Sequence, residues 1–126
     1  MIERLSIGIG CSSRTCSDDV IRLIESSVHE IPAGSIIATL DRRAAMGEIV
    51  ASILGLRLVV FPASILANVG GTTSRSSVAM SRTGTANVAE ASALASLGPS
   101  ARLLVVKKKG RLCTCAVAVL PSTVRP

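Results

Sequence analysis

Two carboxylates and one cysteine are the side chains whose positions along the sequence could support chemistry. Asp41 follows the apolar stretch SIIATL, and Glu90 begins the stretch EASALASLG, so either could act as a general base or bind a polar ligand group. Cys11 precedes a predicted helix start, where thiol pKa values are lowered, and is a candidate nucleophile. The sole histidine, His29, lies at the far end of that helix, which argues against a Cys–His pair. The sequence does not decide whether any of these residues is catalytic.

The stretch IGIGCSSRT, residues 7–15, predicts a strand that enters a Gly-x-Gly turn and then a helix. Backbone amides from Gly10 to Arg14, at a helix N-terminus, would form an anion-binding site. Alternatively, the glycines only let a strand and a helix pack closely. A dinucleotide site is disfavoured, because Ser13 stands where the G-x-G-x-x-G motif requires its third glycine. Asp41, at the end of the second strand, could nevertheless serve as the ribose-binding acid of such a site.

Four cysteines lie at the two ends of the sequence: Cys11, Cys16, Cys113 and Cys115. Their Cys-x4-Cys and Cys-x-Cys spacings differ from the short Cys-x-x-Cys pairs of structural zinc sites. We therefore expect no metal and four free thiols, as is usual in a reducing cytoplasm.

Hydrophobic periodicity predicts the element order β-α-β-α-β-α, a loop, and then α-β-β. This order indicates a layered α/β/α domain with a mixed, mostly parallel sheet of about five strands and a C-terminal antiparallel hairpin. Thr15 and Asn87 are predicted to cap helices. Along the second helix, four apolar residues are expected to face inward: Ile49, Val50, Ile53 and Leu54. Ligands in such folds bind at the carboxyl ends of the parallel strands.

The 126 residues fit a single domain over 1–126, with a flexible glycine-rich loop near 70–77 and a tail over 120–126. No apolar run is long enough for a membrane span, and no signal peptide is visible at the N-terminus, so we expect a cytoplasmic protein without a membrane partner.

Basic residues outnumber acidic ones, with 14 Lys and Arg against 8 Asp and Glu. This balance favours an anionic partner. We do not expect nucleic acid, because single-strand binders rely on aromatic platforms and Phe61 is the only aromatic residue. The basic run KKKGR, residues 107–111, is interpreted as a solvated turn.

Five segments occur in the order seen in one family: GIGC, IATLDRRA, VVFPASIL, GTANVAEASAL and LLVVKKKGRLCTCAVA. The sequence resembles the CobE and CbiG C-terminal domain family of cobalamin biosynthesis, over residues 5–119. The resemblance implies a protein that binds or acts on a precorrin or another tetrapyrrole intermediate. It also implies other enzymes of the pathway as partners. We expect no cofactor. The alternative implied function is the precorrin lactone hydrolysis of full-length CbiG.

The resemblance also implies ligand-binding positions, and together with the anion-binding loop these are Gly8, Gly10, Cys11, Ser12, Ser13, Arg14, Asp41, Glu90 and Lys107. An apolar cleft at the strand ends would cover the macrocycle. The family commonly has Arg-Arg-Gly after the cysteine, where this chain has Ser12, Ser13 and Arg14. Glu90 is predicted to lie in the first turn of a helix whose other residues are small, so its carboxylate is expected to be exposed. The alternative to a functional role is that Glu90 only caps this helix. We expect the functional role, because the resemblance is strongest around VAEASAL.

Overall fold

The computed structural model describes residues 4–70 and 87–120. Five strands form one sheet, namely β1 (Arg4–Cys11), β2 (Ile36–Leu40), β3 (Arg57–Phe61), β4 (Arg102–Lys109) and β5 (Cys113–Leu120). The described helices are α1 (Ser17–Ser27), α2 (Ala44–Leu54), α3 (Ala63–Leu66) and α4 (Val88–Leu97), and a 3-10 turn, Asp41–Arg43, precedes α2.

The strand order is β3-β2-β1-β5-β4. β1, β2 and β3 are parallel, whereas β5 runs antiparallel to β1 and to β4. This arrangement confirms the predicted mixed sheet and the C-terminal hairpin. Since Cys11 at the end of β1 pairs with Cys113 at the start of β5, the β4–β5 turn lies beside the carboxyl ends of the parallel strands. We call this side of the sheet the carboxyl edge.

Alternation along β1 assigns its side chains to two faces of the sheet. Leu5, Ile7 and Ile9 are buried against the face that α1 and α2 cover. The intervening positions are the small residues Ser6, Gly8 and Gly10, and they lie under α4 on the opposite face. Helices therefore cover both faces, which is the predicted three-layer architecture.

The α4 face is built from small residues, so the helix approaches the sheet closely. A Cβ placed on Gly8 would lie 1.9 Å from the carbonyl oxygen of Ala89. The hydroxyl of Ser92 donates to the Ala38 carbonyl of β2 at 3.2 Å. Close packing between small side chains thus replaces the large rings that this sequence lacks.

Three local predictions are wrong. β1 continues through Gly8 and Gly10 to Cys11, so the glycines lie in a strand and not in a turn. α1 begins at Ser17 after Cys16, and Thr15 does not cap it. In α2, Val50 is buried as predicted, but Ile49 and Ile53 are exposed at 48% and 59%. The small residues Gly47 and Ala51 are buried with Val50, because α2 lies close to the sheet.

The predicted loop over 70–77 and the predicted tail over 120–126 lie outside the described residues, apart from Gly70 and Leu120. Across the described ranges, no helix is long and apolar enough to cross a membrane.

Candidate functional site

Basic residues from three separate segments lie along the carboxyl edge. Arg14 follows β1, Arg42 and Arg43 follow β2, and the basic run 107–111 leads through the end of β4 into the hairpin turn. The run was interpreted from the sequence as a solvated turn. The antiparallel placement of β5 beside β1 instead brings it to the same edge as the arginines. Asp19, in the first turn of α1, forms an ion pair with Arg111 of the β4–β5 hairpin turn, with 3.7 Å between Asp19 Oδ2 and Arg111 Nε.

The loop after β1 is held in place by the hairpin turn. The backbone amide of Ser12 donates to the Leu112 carbonyl at 3.0 Å and to the hydroxyl of Thr15 at 3.1 Å. The Thr15 hydroxyl itself donates to the same Leu112 carbonyl. The amide of Arg14 donates to the Ser12 hydroxyl at 3.1 Å. The amides of Ser12 and Arg14 are therefore already used within the protein, whereas the side chains of Ser12, Ser13 and Arg14 are exposed.

Arg43 is not among the ligand-binding residues predicted from the sequence, although it lies in the segment 39–43 at the carboxyl end of β2, where ligands are expected. Its Nε donates to the Cys11 carbonyl at 2.9 Å, which ties the end of β2 to the end of β1. The side chain is half-buried, so the guanidinium is held in place and not freely solvated. Its position directly after a buried parallel strand is the signal that could have identified it.

The structure contradicts the proposed activation of Cys11. Burial raises the pKa of the Cys11 thiol, and the nearby Arg43 guanidinium offsets this only in part. Since a thiol and not a thiolate prevails near neutral pH, Cys11 does not have the lowered pKa expected of a catalytic nucleophile. All four cysteines are free, and Cys113 and Cys115 are buried.

The two glycines of the motif have packing partners on α4. Gly8 has no room for a Cβ beside Ala89, as described above. A Cβ on Gly10 would lie 2.7 Å from the Thr114 hydroxyl and 3.7 Å from the Ala89 amide nitrogen. This geometry supports the alternative interpretation, in which the glycines let strand and helix pack closely.

Glu90 is fully buried, in contrast to the open position expected for it. Its Oε2 accepts a hydrogen bond from the backbone amide of Lys107 on β4 at 2.7 Å. The pairing of β4 with β5 is irregular between Val105 and Lys108, so this amide belongs to a bulged segment. The Glu90 carboxylate therefore fixes the edge strand to α4, and the Lys107 side chain remains half-buried.

Asn87 caps α4, as its position in the sequence predicts. Its Oδ1 accepts from the Glu90 amide at 3.1 Å. Its Nδ2 is buried and has no hydrogen-bond partner within the described part of the chain. The N-terminus of α4 thus places an amide donor close to the carboxyl edge.

Glu90 lies apart from the other two catalytic candidates. Asp41 is exposed at the end of β2, and the Glu90 carboxylate lies at β4, so two strands separate them. Three strand spacings correspond to about 14 Å. Cys11 packs toward the α1 and α2 face, whereas Glu90 lies on the α4 face. Asp41 and Glu90 are too far apart to act on one bond, and Cys11 and Glu90 lie on opposite faces of the sheet.

An apolar depression of about 520 Å³ lies on the α4 face. Its walls include Leu94 and Gly98, so it is at the C-terminal end of α4 and away from the carboxyl edge. An apolar cleft was expected at the carboxyl ends of the strands, but this apolar depression lies at the other end of α4. Among residues 4–70 and 87–120, no cluster of three or more His, Cys, Asp or Glu side chains could hold a metal ion.

Comparisons with known proteins agree with this fold. The comparison with curated proteins gives no match. The crystal structure of CobE, a protein from the cobalamin (vitamin B12) biosynthetic pathway, has a TM-score of 0.82 and 26% identity, covering 98% of this chain and 95% of that chain. The crystal structure of the cobalamin biosynthesis protein chiG from Agrobacterium tumefaciens has a TM-score of 0.65 and 29% identity, covering 90% of this chain and 96% of that chain.

The family model for the cobalamin synthesis G C-terminus matches residues 5–118, which is nearly the whole chain. This range includes all five strands apart from the first residue of β1 and the last two of β5. The chain therefore belongs to the cobalamin synthesis G C-terminal family and is a protein of cobalamin biosynthesis.

Proposed function

We propose that this protein binds a precorrin, a tetrapyrrole intermediate of cobalamin biosynthesis, at the carboxyl edge of its sheet. The observation that carries the proposal is the convergence of Arg14, Arg42, Arg43 and the basic run 107–111 on that edge. Precorrins carry acetate and propionate arms. Guanidinium and ammonium groups bind carboxylates through charge-assisted hydrogen bonds, so such a ligand matches the edge.

Arg43 is the central contact of the proposal. Its Nε is bound to the Cys11 carbonyl, which orients the planar guanidinium, and the group has four further N–H donors. A guanidinium oriented in this way can engage a carboxylate with two parallel hydrogen bonds at a smaller entropic cost than a free side chain. Arg14 and Arg42 are exposed nearby and would contact other arms of the ligand.

A binding role is favoured over hydrolysis by the positions of the candidate residues. Glu90 lies apart from Asp41 and from Cys11, and burial raises the pKa of the Cys11 thiol. Lactone hydrolysis requires a base or nucleophile beside the reacting carbonyl. The Nδ2 of Asn87, which has no hydrogen-bond partner among the described residues, is a donor near the same edge and suits a carboxylate ligand.

The proposal is tested by titrating the purified protein with uroporphyrin, which carries acetate and propionate arms, and with coproporphyrin, which carries fewer carboxylates. We expect a shift of the porphyrin absorbance, with tighter binding of uroporphyrin. Incubation with precorrin intermediates, followed by mass spectrometry, should return each intermediate with its mass unchanged. The absence of binding to any of these tetrapyrroles at low salt would contradict the proposal, and a hydrated product would favour the hydrolase.

A further inference from the structure

Cys11 and Cys113 lie directly opposite each other on the two neighbouring strands β1 and β5, at the carboxyl edge of the sheet. They are register partners in the antiparallel pairing of β1 with β5. The Ser12 amide donates to the Leu112 carbonyl, and this bond joins the residue after Cys11 to the residue before Cys113. In an antiparallel ladder, that pattern identifies Cys11 and Cys113 as a non-hydrogen-bonded pair, in which the side chains are closest.

The geometry of such a pair suits a disulfide. Opposite residues of a non-hydrogen-bonded pair have Cα atoms about 4.5 Å apart, which is within the range that a disulfide spans. Both side chains pack in the same cluster on the α1 and α2 face of the sheet. A Cys113–Cys115 pairing is less favourable, because the two residues are two apart on one extended strand, and roughly 6.6 Å is near the upper limit of the Cα separation that a disulfide spans.

Access to the pair is asymmetric. Cys11 is half-buried at the carboxyl edge, whereas Cys113 is only 5% exposed. A small disulfide reagent therefore reaches Cys11 first, and Cys113 is positioned to attack the resulting mixed disulfide from within the sheet. Cys16 is exposed at the start of α1 and provides an internal control for simple accessibility.

We propose that Cys11 and Cys113 are a reversible oxidation site that reacts with low-molecular-weight disulfides to form a cross-strand disulfide. In the first step, the Cys11 sulfur bonds to one sulfur of the reagent, the reagent's S–S bond breaks, and one thiol leaves. In the second step, the Cys113 sulfur displaces the remaining half of the reagent. The two protein thiols are oxidised, the reagent is reduced to two thiols, and these carry both protons. The site is independent of the proposed function.

The test uses glutathione disulfide on the full chain at about pH 9, followed by alkylation of the remaining thiols. The raised pH is needed because the attacking species is a thiolate, and burial raises the pKa of both the Cys11 and the Cys113 thiol. We expect the internal disulfide to remove two thiols and about 2 Da before alkylation, apart from the mass of any glutathione that the exposed Cys16 takes up, with full reversal by dithiothreitol. Trypsin separates the two N-terminal cysteines, because Arg14 lies between Cys11 and Cys16. The linked species should therefore join peptide 5–14 to the peptide that begins at residue 112.

Single cysteine-to-serine variants identify which two residues form the disulfide. Cys11→Ser and Cys113→Ser should each abolish the internal disulfide, whereas Cys16→Ser and Cys115→Ser should retain it. A thermal melt of each reduced variant verifies folding, and Cys11→Ser serves as the less buried substitution if Cys113→Ser does not fold. Retention of four free thiols in the wild-type protein after treatment would overturn the proposal. A linked peptide that contains residues 15–22, and hence Cys16, would also overturn it.

Discussion

The buried carboxylate of Glu90 on α4 accepts the backbone amide of Lys107 on β4, a residue 17 positions later in the chain. The contact joins a helix to an edge strand at the point where the strand pairing is irregular. An edge strand with an irregular ladder leaves backbone donors that need other acceptors. Glu90 supplies one of them, and it therefore helps to hold the basic run 107–111 at the carboxyl edge.

Glu90→Ala should lower the free energy of unfolding by about 1–3 kcal/mol, since it leaves the partly buried Lys107 amide without this acceptor. Glu90→Gln should lower it less, because the amide oxygen of glutamine can still accept. Urea denaturation gives both values, with the exposed Glu48→Ala as the control.

Complementation of a cobalamin-deficient strain with Glu90→Gln separates the roles of Glu90. We expect the fold to be retained and the pathway to be impaired, as the family resemblance implies. Full complementation with an unchanged melt would show that Glu90 acts only through its acceptor oxygen.

Gly8→Ala should destabilise the protein by about 3 kcal/mol or more, because overpacking a tight contact forces the backbone to move. The added Cβ would lie 1.9 Å from the Ala89 carbonyl oxygen and cannot be accommodated by a side-chain rotation. Gly70→Ala is a matched control, since no atom of the described residues lies within 4 Å of the Cβ position there. Equal melting temperatures for the two variants would contradict the close approach of α4 to β1.

Stability should fall as the pH rises above about 9. Burial raises the pKa of Cys115 from the ordinary value of 9.0 to about 12. The folded protein therefore keeps a proton that the unfolded chain releases. The stabilisation is fully present below about pH 9 and is lost as the pH approaches 12, with a slope of up to about 1.4 kcal/mol per pH unit.

Urea midpoints between about pH 8 and 10 measure this slope, and the sequence contains no tyrosine that would titrate in the same range. Cys115→Ala should make the dependence shallower but not abolish it, because burial also raises the pKa of Cys11 and Cys113. Cys16→Ala, at an exposed position, should leave it unchanged. An equally steep dependence in Cys115→Ala would assign the effect to other groups.

The elements were predictable because their signals are local. Short apolar runs gave β1, β2 and β3 to within about a residue or two, and Asn87 caps α4 as its position predicts. Thr15 was assigned wrongly because its hydroxyl bonds the Leu112 carbonyl, 97 residues away. No local pattern contains that partner. The buried face of α2 was missed in part because its small residues, and not its largest apolar ones, face the sheet.

The site was less predictable because it depends on strand order. Arg14 was selected, but Arg43 was not, since its contact with the Cys11 carbonyl requires knowing that β1 and β2 are neighbours. The basic run 107–111 resembled an ordinary turn until the antiparallel pairing of β5 with β1 placed it at the carboxyl edge. Sequence patterns identify elements more readily than they identify which element ends lie side by side.

Arg43→Gln should weaken tetrapyrrole binding by about tenfold, which corresponds to the loss of one charge-assisted hydrogen bond to a carboxylate. Arg57→Gln removes the same charge at the start of β3, on the opposite edge of the sheet, and should change the affinity less than twofold. Fluorescence titration with uroporphyrin measures both. Equal losses for the two variants would indicate a general charge effect in place of a site.

Uroporphyrin titration at low and high salt tests the central claim most directly, with the wild-type protein and the double variant Arg42→Gln/Arg43→Gln compared. Electrostatic contacts at a solvent-accessible edge are screened as the ionic strength rises. We expect the wild-type affinity to fall by roughly tenfold between about 0.05 and 0.5 M salt. The double variant should bind weakly at both concentrations, with a much smaller salt dependence. Equal affinity and equal salt dependence for the two proteins would contradict binding at the carboxyl edge.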